Sequence, residues 1–141
     1  METVLTLTDA PDAKAEAAIE GGLGQFNEEK AGYRDWRALA VLVSDAQTGE
    51  VIGGLLGRTS LGLFFIDLFF LPDTLRGKGI GSGIMRQAED EARRRGCCAA
   101  VVVTINFQAP EFYERHGYRA FGQIGCHPPG TSRIFMTKRF E

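Results

Sequence analysis

The sequence predicts a protein of the α+β class, in which strands and helices are mixed along the chain. Several segments are rich in β-branched and aromatic residues at strand length, and 61–71 is the bulkiest. The segment 80–95 has apolar residues at helical spacing opposite acidic and basic pairs such as Glu89 with Arg93. A glycine-rich loop joins these two segments. A chain of 141 residues can bury one core, so we expect a single domain over 1–141.

The N-terminal part predicts one strand and then a helix. Residues 3–8 alternate and are β-rich, which is typical of a strand. Residues 9–12 have the composition of a helix start, and 13–30 is rich in Ala and Glu, which favours a helix. Glycines between Gly21 and Gly24 predict that this helix is broken or kinked there.

The middle of the chain predicts a hairpin followed by a third strand. The turn-forming residues 45–49 separate the β-rich segments 39–43 and 50–58, which indicates two antiparallel strands. The next strand, 61–71, is interrupted only by Asp67 and is closed by Pro72.

The C-terminal part predicts one core strand, a short helix and two final strands. Residues 98–105 are apolar without alternation, which indicates a strand that is buried on both faces. Residues 109–116 predict a short helix that ends at Gly117. The last two predicted strands are 118–124 and 133–140.

The charge balance and the cysteine content narrow the class of protein. Sixteen Lys and Arg against eighteen Asp and Glu give a net charge of −2, which argues against a general nucleic-acid binder. No apolar run reaches the 18 residues of a membrane span, and the first residues lack the pattern of a signal peptide. Three cysteines cannot all pair, and Cys97 and Cys98 are expected to be small core residues. We therefore expect a cytoplasmic protein with no nucleic-acid or membrane partner.

Glycine is the most unusual feature of the composition. There are 18 glycines in 141 residues, about double the usual share of ~7%, and four of them fall within 77–83. A glycine-rich loop between a strand and a helix can bind an anion, because free backbone N–H groups and the helix dipole both point at it. The loop lacks the Walker pattern, since Pro72 stands at the position of its first glycine, and it also lacks G-x-G-x-x-G spacing.

The remaining pattern, Arg76-Gly77-Lys78-Gly79-Ile80-Gly81 after a bulky strand, resembles the acyl-CoA pyrophosphate loop of the GNAT N-acetyltransferase superfamily. The segment 106–118 is similar to that superfamily's N-x-x-A-x-x-F-Y-E-x-x-G-Y/F motif at every defined position. The resemblance covers about 38–124. It implies the GNAT fold, which has a twisted, mixed, mostly antiparallel sheet of six to seven strands and about four helices. It also implies a V-shaped splay between strands 63–71 and 99–105.

The resemblance implies acetyl-CoA as co-substrate and no metal. Backbone groups near Phe69 and Leu71 would pair with the pantetheine, and the Leu71 N–H would donate to the thioester oxygen. Asn106 would close the second arm of the splay, with its amide facing the pantetheine. Side chains at the loop glycines would occupy ligand space. The residues that would hold the pyrophosphate are Arg76, Gly77, Lys78, Gly79, Ile80, Gly81 and Ser82.

Two residues are candidates for proton transfer. Tyr113 corresponds to the family tyrosine that protonates or hydrogen-bonds the CoA sulfur, although it could also be only a packed aromatic ring. Asp67 shares strand parity with Phe69 and Leu71 unless a bulge intervenes. A carboxylate desolvated among phenylalanines would have a raised pKa, which suits a base. The alternatives for Asp67 are an ion pair with an arginine and a contact to the substrate ammonium.

The function that the resemblance implies is direct transfer of acetyl to a primary amine in a ternary complex. The acceptor would be a small molecule or a peptide, and a homodimer is a further expectation, since many members form dimers. The alternatives are a non-catalytic CoA sensor and a transferase for another acyl-CoA. Cys126, His127 and His116 lack the spacing of a zinc site or a nucleophile–base pair. The loop 126–131 with Arg133 would either line the acceptor pocket or form a rigid connection.

Overall fold

The computed structural model describes residues 1–141 and contains two compact units, 1–35 and 36–141. The first unit holds one helix, α1 (Ala13–Ala31). The Asp12 carboxylate accepts a hydrogen bond from the Ala15 N–H at 2.8 Å and caps the start of α1. The prediction of one domain over 1–141 stays a prediction.

Two predictions about this first unit are wrong. Residues 3–8 form no strand, because alternation alone does not supply the hydrogen-bonding neighbour that a strand requires. Helix α1 continues without a break through Gly21–Gly24. Each helical glycine costs about 1 kcal/mol relative to alanine, but its N–H and C=O groups still make the helical hydrogen bonds.

The second unit contains a sheet and two helices. A short 3-10 turn, Asp73–Leu75, follows the third strand. In chain order the elements are β1 (Arg37–Ser44), β2 (Val51–Ser60), β3 (Leu63–Phe70), α2 (Ile80–Arg94), β4 (Ala99–Ile105), α3 (Pro110–Arg115), β5 (Arg119–Gly125) and β6 (Ser132–Arg139).

The six strands lie in the order β1-β2-β3-β4-β6-β5. All neighbours are antiparallel except β3 and β4, which are parallel. The predicted α+β fold with a mostly antiparallel sheet is therefore confirmed. There are three α-helices rather than about four, because α1 is unbroken.

The core of the second unit lies between α2 and one face of the sheet. The apolar side of α2 buries its small and aliphatic residues there, as the helical spacing predicts. Phe64, Leu55 and Met136 are the largest fully buried apolar side chains that the sheet contributes to this core. Cys97 also joins the core, whereas Cys98 is exposed and its predicted burial is wrong. No helix of the structure is long and apolar enough to span a membrane.

The parallel strands β3 and β4 separate partway along their length. They pair only over Leu63–Ile66 and Ala99–Val102. Beyond this point β3 stays paired with β2, while β4 stays paired with β6. Leu68 and Ile66 face consecutive residues of β2, so Asp67 is the extra residue of a bulge at this point. The predicted splay is therefore present, and a cleft opens between the two strands.

Candidate functional site

The cleft at the splay has a volume of about 620 Å³. Its walls come from the end of β3, the glycine loop with the first turn of α2, and the segment from the end of β4 through α3. Four of the predicted site residues do not line the cleft: Asp67, Lys78, Ile80 and Asn106. The predicted site residues that line the cleft together are Phe69, Leu71, Arg76, Gly77, Gly79, Gly81, Ser82 and Tyr113.

The three loop glycines are required for different reasons. Gly77 and Gly79 have φ of 75° and 81°, a left-handed conformation that other residues rarely adopt. A Cβ atom at Gly81 would instead lie 3.1 Å from the Phe112 ring, so this glycine lets α2 and α3 pack closely. Contact with α3 is therefore a reason for glycine at this position that the sequence did not predict, and the predicted reason, ligand space, stays a prediction.

Helix α2 begins at the cleft with unsatisfied donors. Gly79 is its N-cap and offers no side-chain oxygen to the first turn. The N–H groups of the first turn, which includes Ile80, Gly81 and Ser82, have no acceptor within the helix. These donors and the helix dipole favour an anion at this end of the cleft.

Arg76 holds the loop against the end of β3. Its Nε donates to the Leu71 carbonyl oxygen at 2.8 Å, and its Nη1 pairs with the Asp73 carboxylate at 2.7 Å. The side chain therefore fixes the path of the chain between β3 and α2. This contact joins the two parts of the cleft wall that sequence analysis assigned to pantetheine and pyrophosphate.

Tyr113 lies on α3 and is only 6% exposed. Its ring packs edge-on against Phe69, Phe112 and Tyr118, at centroid distances of 6.4, 5.4 and 5.7 Å. Burial raises the pKa of Tyr113 to about 12. The phenol is therefore protonated at neutral pH and can donate a proton or a hydrogen bond into the cleft.

A buried polar cluster lies beside Tyr113, and sequence analysis missed it. The Tyr118 hydroxyl donates to Glu89 Oε2 at 2.7 Å, and Lys138 Nζ donates to Oε1 at 2.8 Å. Glu89 is 5% exposed, although its spacing to Arg93 predicted a surface pair. Burial raises the pKa of Tyr118 most, and the negative charge of Glu89 is the second cause. The partners come from α2, from β6 and from the connection between α3 and β5, so no local pattern in the sequence marks this cluster.

Asp67 does not have the predicted surroundings. Its side chain is 45% exposed and pairs with Arg58 Nη1, and the Arg58 guanidinium lies 4.4 Å from the centre of the Phe65 ring. Phe65 is the residue of β3 that pairs with Arg58 in the sheet. The bulge shifts the alternation by one residue, so Asp67 does not share a face with Phe69 and Leu71. The predicted burial among phenylalanines is wrong, and of the three alternatives the arginine pair is the one observed.

The Asn106 side chain is bound to the loop before β6. Its Nδ2 donates to the Gly130 carbonyl at 2.8 Å, and its Oδ1 accepts from the Ser132 N–H at 3.1 Å. The structure therefore turns the amide to this loop and away from the position that the resemblance implies. Whether the loop 126–131 lines an acceptor pocket stays a prediction.

Some residues that line the cleft were not predicted, and three of them, Phe107, Gln108 and Arg115, fall at undefined positions of the 106–118 motif. Gln108 is one of them: its Oε1 accepts from the Ile105 N–H at 2.9 Å and from Thr104 Oγ1 at 3.2 Å. These hydrogen bonds hold the segment before α3 against the end of β4. The unselected lining residues are Phe70, Thr104, Phe107, Gln108, Ala109, Phe112 and Arg115.

His116 is joined to the glycine-loop side of the cleft. Its Nε2 is hydrogen-bonded to Ser82 Oγ at 3.1 Å, and its ring packs against Phe112 at 4.7 Å between centroids. Desolvation is the largest influence on this ring and lowers the pKa of His116. The structure contains no group of three His, Cys, Asp or Glu residues that could hold a metal ion.

Comparisons with known proteins agree with this architecture. The Acetyltransferase (GNAT) family matches residues 12–118. An acetyltransferase of Agrobacterium fabrum is 38% identical over 134 residues, which are 95% of this chain and 97% of the relative. The blasticidin-S acetyltransferase of Streptomyces morookaense is 39% identical over 93 residues, 65% of this chain and 68% of the relative.

Solved structures show the same fold. A structure described as an acetyltransferase from Agrobacterium tumefaciens has a TM-score of 0.88 at 37% identity, covering 98% of this chain and 100% of that one. An acetyltransferase from Bacillus cereus has a TM-score of 0.75 at 27% identity, covering 96% and 98%. A streptothricin acetyltransferase from Bacillus anthracis, solved with acetyl coenzyme A, shares the fold with a TM-score of 0.61 at 18% identity, covering 76% and 64%.

Proposed function

Because this chain belongs to the GNAT family and is an acyl-CoA-dependent acetyltransferase, we propose that it transfers the acetyl group of acetyl-CoA directly to a primary amine. The observation that carries this proposal is the cleft at the splay of β3 and β4. Its walls include a buried, protonated tyrosine and the uncapped N-terminus of α2. A neighbour of the same fold was solved with acetyl coenzyme A, which supports this co-substrate.

The donor set of the cleft fits the two ends of the co-substrate. The pyrophosphate would accept hydrogen bonds from the N–H groups of the α2 first turn, where Gly79 leaves open space. The pantetheine would lie in the gap between β3 and β4 and pair with backbone near Phe69 and Leu71 as an added strand does. Phe69 and Phe112, whose rings pack at 5.4 Å, would cover its apolar part.

The reaction needs a neutral amine, an oxyanion donor and a proton for the sulfur. The amine nitrogen attacks the thioester carbon, and the Leu71 N–H donates to the developing oxyanion. When the C–S bond breaks, the Tyr113 phenol gives its proton to the thiolate, the amine releases one proton to solvent, and the tyrosinate recovers one from solvent. No covalent acyl-enzyme is required, because both substrates are bound at once.

We give Asp67 no step in the transfer, because it lies outside the cleft lining and is held by Arg58. Its carboxylate is 45% exposed and paired with Arg58, so the desolvated setting of a buried base is absent. An alkylammonium has a pKa of about 10.4 and must lose a proton before attack. An amine carried by a small molecule fits the name of the blasticidin-S acetyltransferase relative, and a peptide amine is the second acceptor class.

Co-substrate binding is tested by thermal shift with a matched glycine pair. Gly79→Glu places a carboxylate at the proposed pyrophosphate position, whereas Gly49→Glu makes the same change in the turn after β1. Gly79 and Gly49 have φ of 81° and 78°, and both have open space at the Cβ position, so the backbone strain is matched. At 100 times Kd, acetyl-CoA should stabilise wild type and Gly49→Glu by about 2.7 kcal/mol, and Gly79→Glu by much less.

A wild-type protein that acetyl-CoA does not stabilise at millimolar concentration contradicts the proposal. Equal stabilisation of both variants by acetyl-CoA would contradict the placement of the pyrophosphate at the N-terminus of α2. Release of CoA thiol across a panel of small-molecule and peptide amines then identifies the acceptor class. Release without any amine dependence would contradict transfer to an amine.

A further inference from the structure

His116 contacts the cleft only through its neighbours. Ser82, which accepts or donates the 3.1 Å hydrogen bond to His116 Nε2, lines the cleft in the first turn of α2. Phe112, against which the His116 ring packs, also lines the cleft and lies under Gly81. A change in the protonation or hydrogen bonding of His116 can therefore affect the proposed anion site through two contacts, one with Ser82 and one with the Phe112 ring.

The direction of this hydrogen bond decides what Ser82 offers to an anion. A hydroxyl has one proton. If Ser82 donates to an unprotonated Nε2, only its lone pairs remain for the cleft, and these repel a phosphate oxygen. If Nε2–H donates to Ser82 Oγ, the hydroxyl proton is free to point into the cleft. A phosphate at the α2 terminus favours this second arrangement.

The charges around His116 are mixed and come from each element that packs near it. Glu89 and Arg86 lie on α2, Arg115 on α3 and Lys138 on β6. Glu89 already binds Tyr118 and Lys138, so its charge is largely compensated. Burial keeps the ring neutral at neutral pH in the free protein, because it lowers the pKa of His116. A phosphate dianion or diester near Ser82 would favour the protonated ring.

We propose that His116 is a positioning residue for the phosphate end of CoA. It donates its Nε2–H to Ser82 Oγ, which turns the Ser82 hydroxyl proton toward a phosphate oxygen, and it takes up a proton when the ligand binds. This inference rests on the proposed function, since it places the pyrophosphate at the α2 terminus. The affinity for CoA should therefore increase as the pH falls from 8 to 6. The residue responsible, His116, does not itself touch the ligand.

Four variants separate this role from simple packing. His116→Phe keeps a ring against Phe112 but removes the donor, and His116→Gln keeps an N–H donor that does not titrate. Ser82→Ala removes the hydroxyl through which His116 acts. His127→Gln changes the only other histidine and is the control.

Calorimetric titration with CoA at pH 6, 7 and 8 gives the first readout. His116→Phe should raise the Kd for CoA about tenfold, as expected for one hydrogen bond that supports a charged acceptor. The same substitution should add little in the Ser82→Ala background. His116→Gln should bind at pH 8 as wild type does, but without the gain in affinity at pH 6. The kcat at saturating acetyl-CoA should change less than KM in all of these variants.

Proton NMR of the two histidine rings gives the second readout, with His127→Gln assigning the signals. The pKa of His116 should rise when CoA is added, while the signals of His127 should not respond to CoA. A wild-type Kd in His116→Phe, or an unchanged titration of His116 with CoA, overturns the positioning role and leaves the proposed function intact. Failure of the wild-type protein to bind CoA would overturn both.

Discussion

Tyr113 illustrates how the surroundings of a residue decide its chemistry. A phenol in water would keep its proton at pH 7 in any case, but the aromatic contacts of Tyr113 bury it and raise its pKa to about 12. The hydroxyl therefore stays a donor throughout the pH range in which an amine becomes neutral. The motif 106–118 predicts that a tyrosine is present, and the packing of α3 explains why it remains protonated.

We predict that Tyr113→Phe lowers kcat by about 100-fold, because a positioned general acid contributes at least this factor. The KM for acetyl-CoA should change little, since the ring and its contacts with Phe69 and Tyr118 are kept. Steady-state kinetics with a saturating amine measures both constants. Tyr33→Phe, at an exposed position, is the control. An unchanged kcat would show that the leaving thiolate takes its proton from another source.

Asp67 and Asn106 show where residue-scale prediction ends. Each has a side chain suited to a role in the cleft, and each is turned elsewhere by contacts with distant residues. Arg58 holds Asp67 across the sheet, and the backbone of Gly130 and Ser132 holds Asn106. Side-chain type can be taken from the sequence, but side-chain direction depends on the bulge and on the loop before β6.

At the scale of elements, Glu89 links α2 to β6 and to the connection between α3 and β5. Its carboxylate is the shared acceptor for Tyr118 and Lys138, and both partners are themselves largely enclosed. A buried carboxylate with two donors holds the helix at one position on the sheet. The position of α2 also determines where the glycine loop lies relative to α3, because the loop leads directly into α2.

We predict that Glu89→Ala lowers the free energy of unfolding by about 3 kcal/mol, because it leaves Lys138 and the Tyr118 hydroxyl without their buried partner. Asp90→Ala, the next residue along α2, removes only an exposed pair with Arg93 and should cost less than about 0.5 kcal/mol. Urea unfolding at pH 7 measures both. Equal losses for the two variants would contradict the buried link.

At the scale of the whole molecule, two buried tyrosines make stability depend on alkaline pH. Burial raises the pKa of Tyr113 to about 12 and raises that of Tyr118 as well, whereas an unfolded tyrosine ionises near 10. Above pH 10 the unfolded chain has therefore released protons that the folded chain still binds. The stabilisation is complete below pH 10 and is lost as the pH rises toward the folded-state pKa.

We predict that the free energy of unfolding falls between pH 10 and 12 by about 1.4 kcal/mol per pH unit for each of these tyrosines. Tyr113→Phe and Tyr118→Phe should each reduce this slope, while Tyr33→Phe should not, since Tyr33 is exposed. Urea unfolding at pH 9, 10 and 11 gives the slopes, and comparison among the variants removes the common effect of lysine titration. A slope that none of the substitutions changes would contradict burial as its cause.

The sequence by itself determined the features that depend on neighbours along the chain. The spacing of apolar residues marks α2, the turn residues mark the hairpin of β1 and β2, and the glycine loop marks the start of α2 at the site. These features are local, because helix and strand periodicity and turn conformation are properties of a few consecutive residues. For the same reason, two local patterns misled the prediction. Alternation in 3–8 does not show whether a partner strand is present, and the glycines of α1 do not show whether the helical hydrogen bonds are kept.

Tertiary structure alone decided which distant residues meet around the cleft. Ser82 and His116 are 34 residues apart in sequence, Glu89 and Lys138 are 49 apart, and Asn106 and Ser132 are 26 apart. The Asn106 contact follows from the pairing of β4 with β6, and the other two follow from the packing of α2 against the sheet and against α3. Such contacts depend on the balance of packing and desolvation over the whole sheet, and no short pattern of residues encodes that balance.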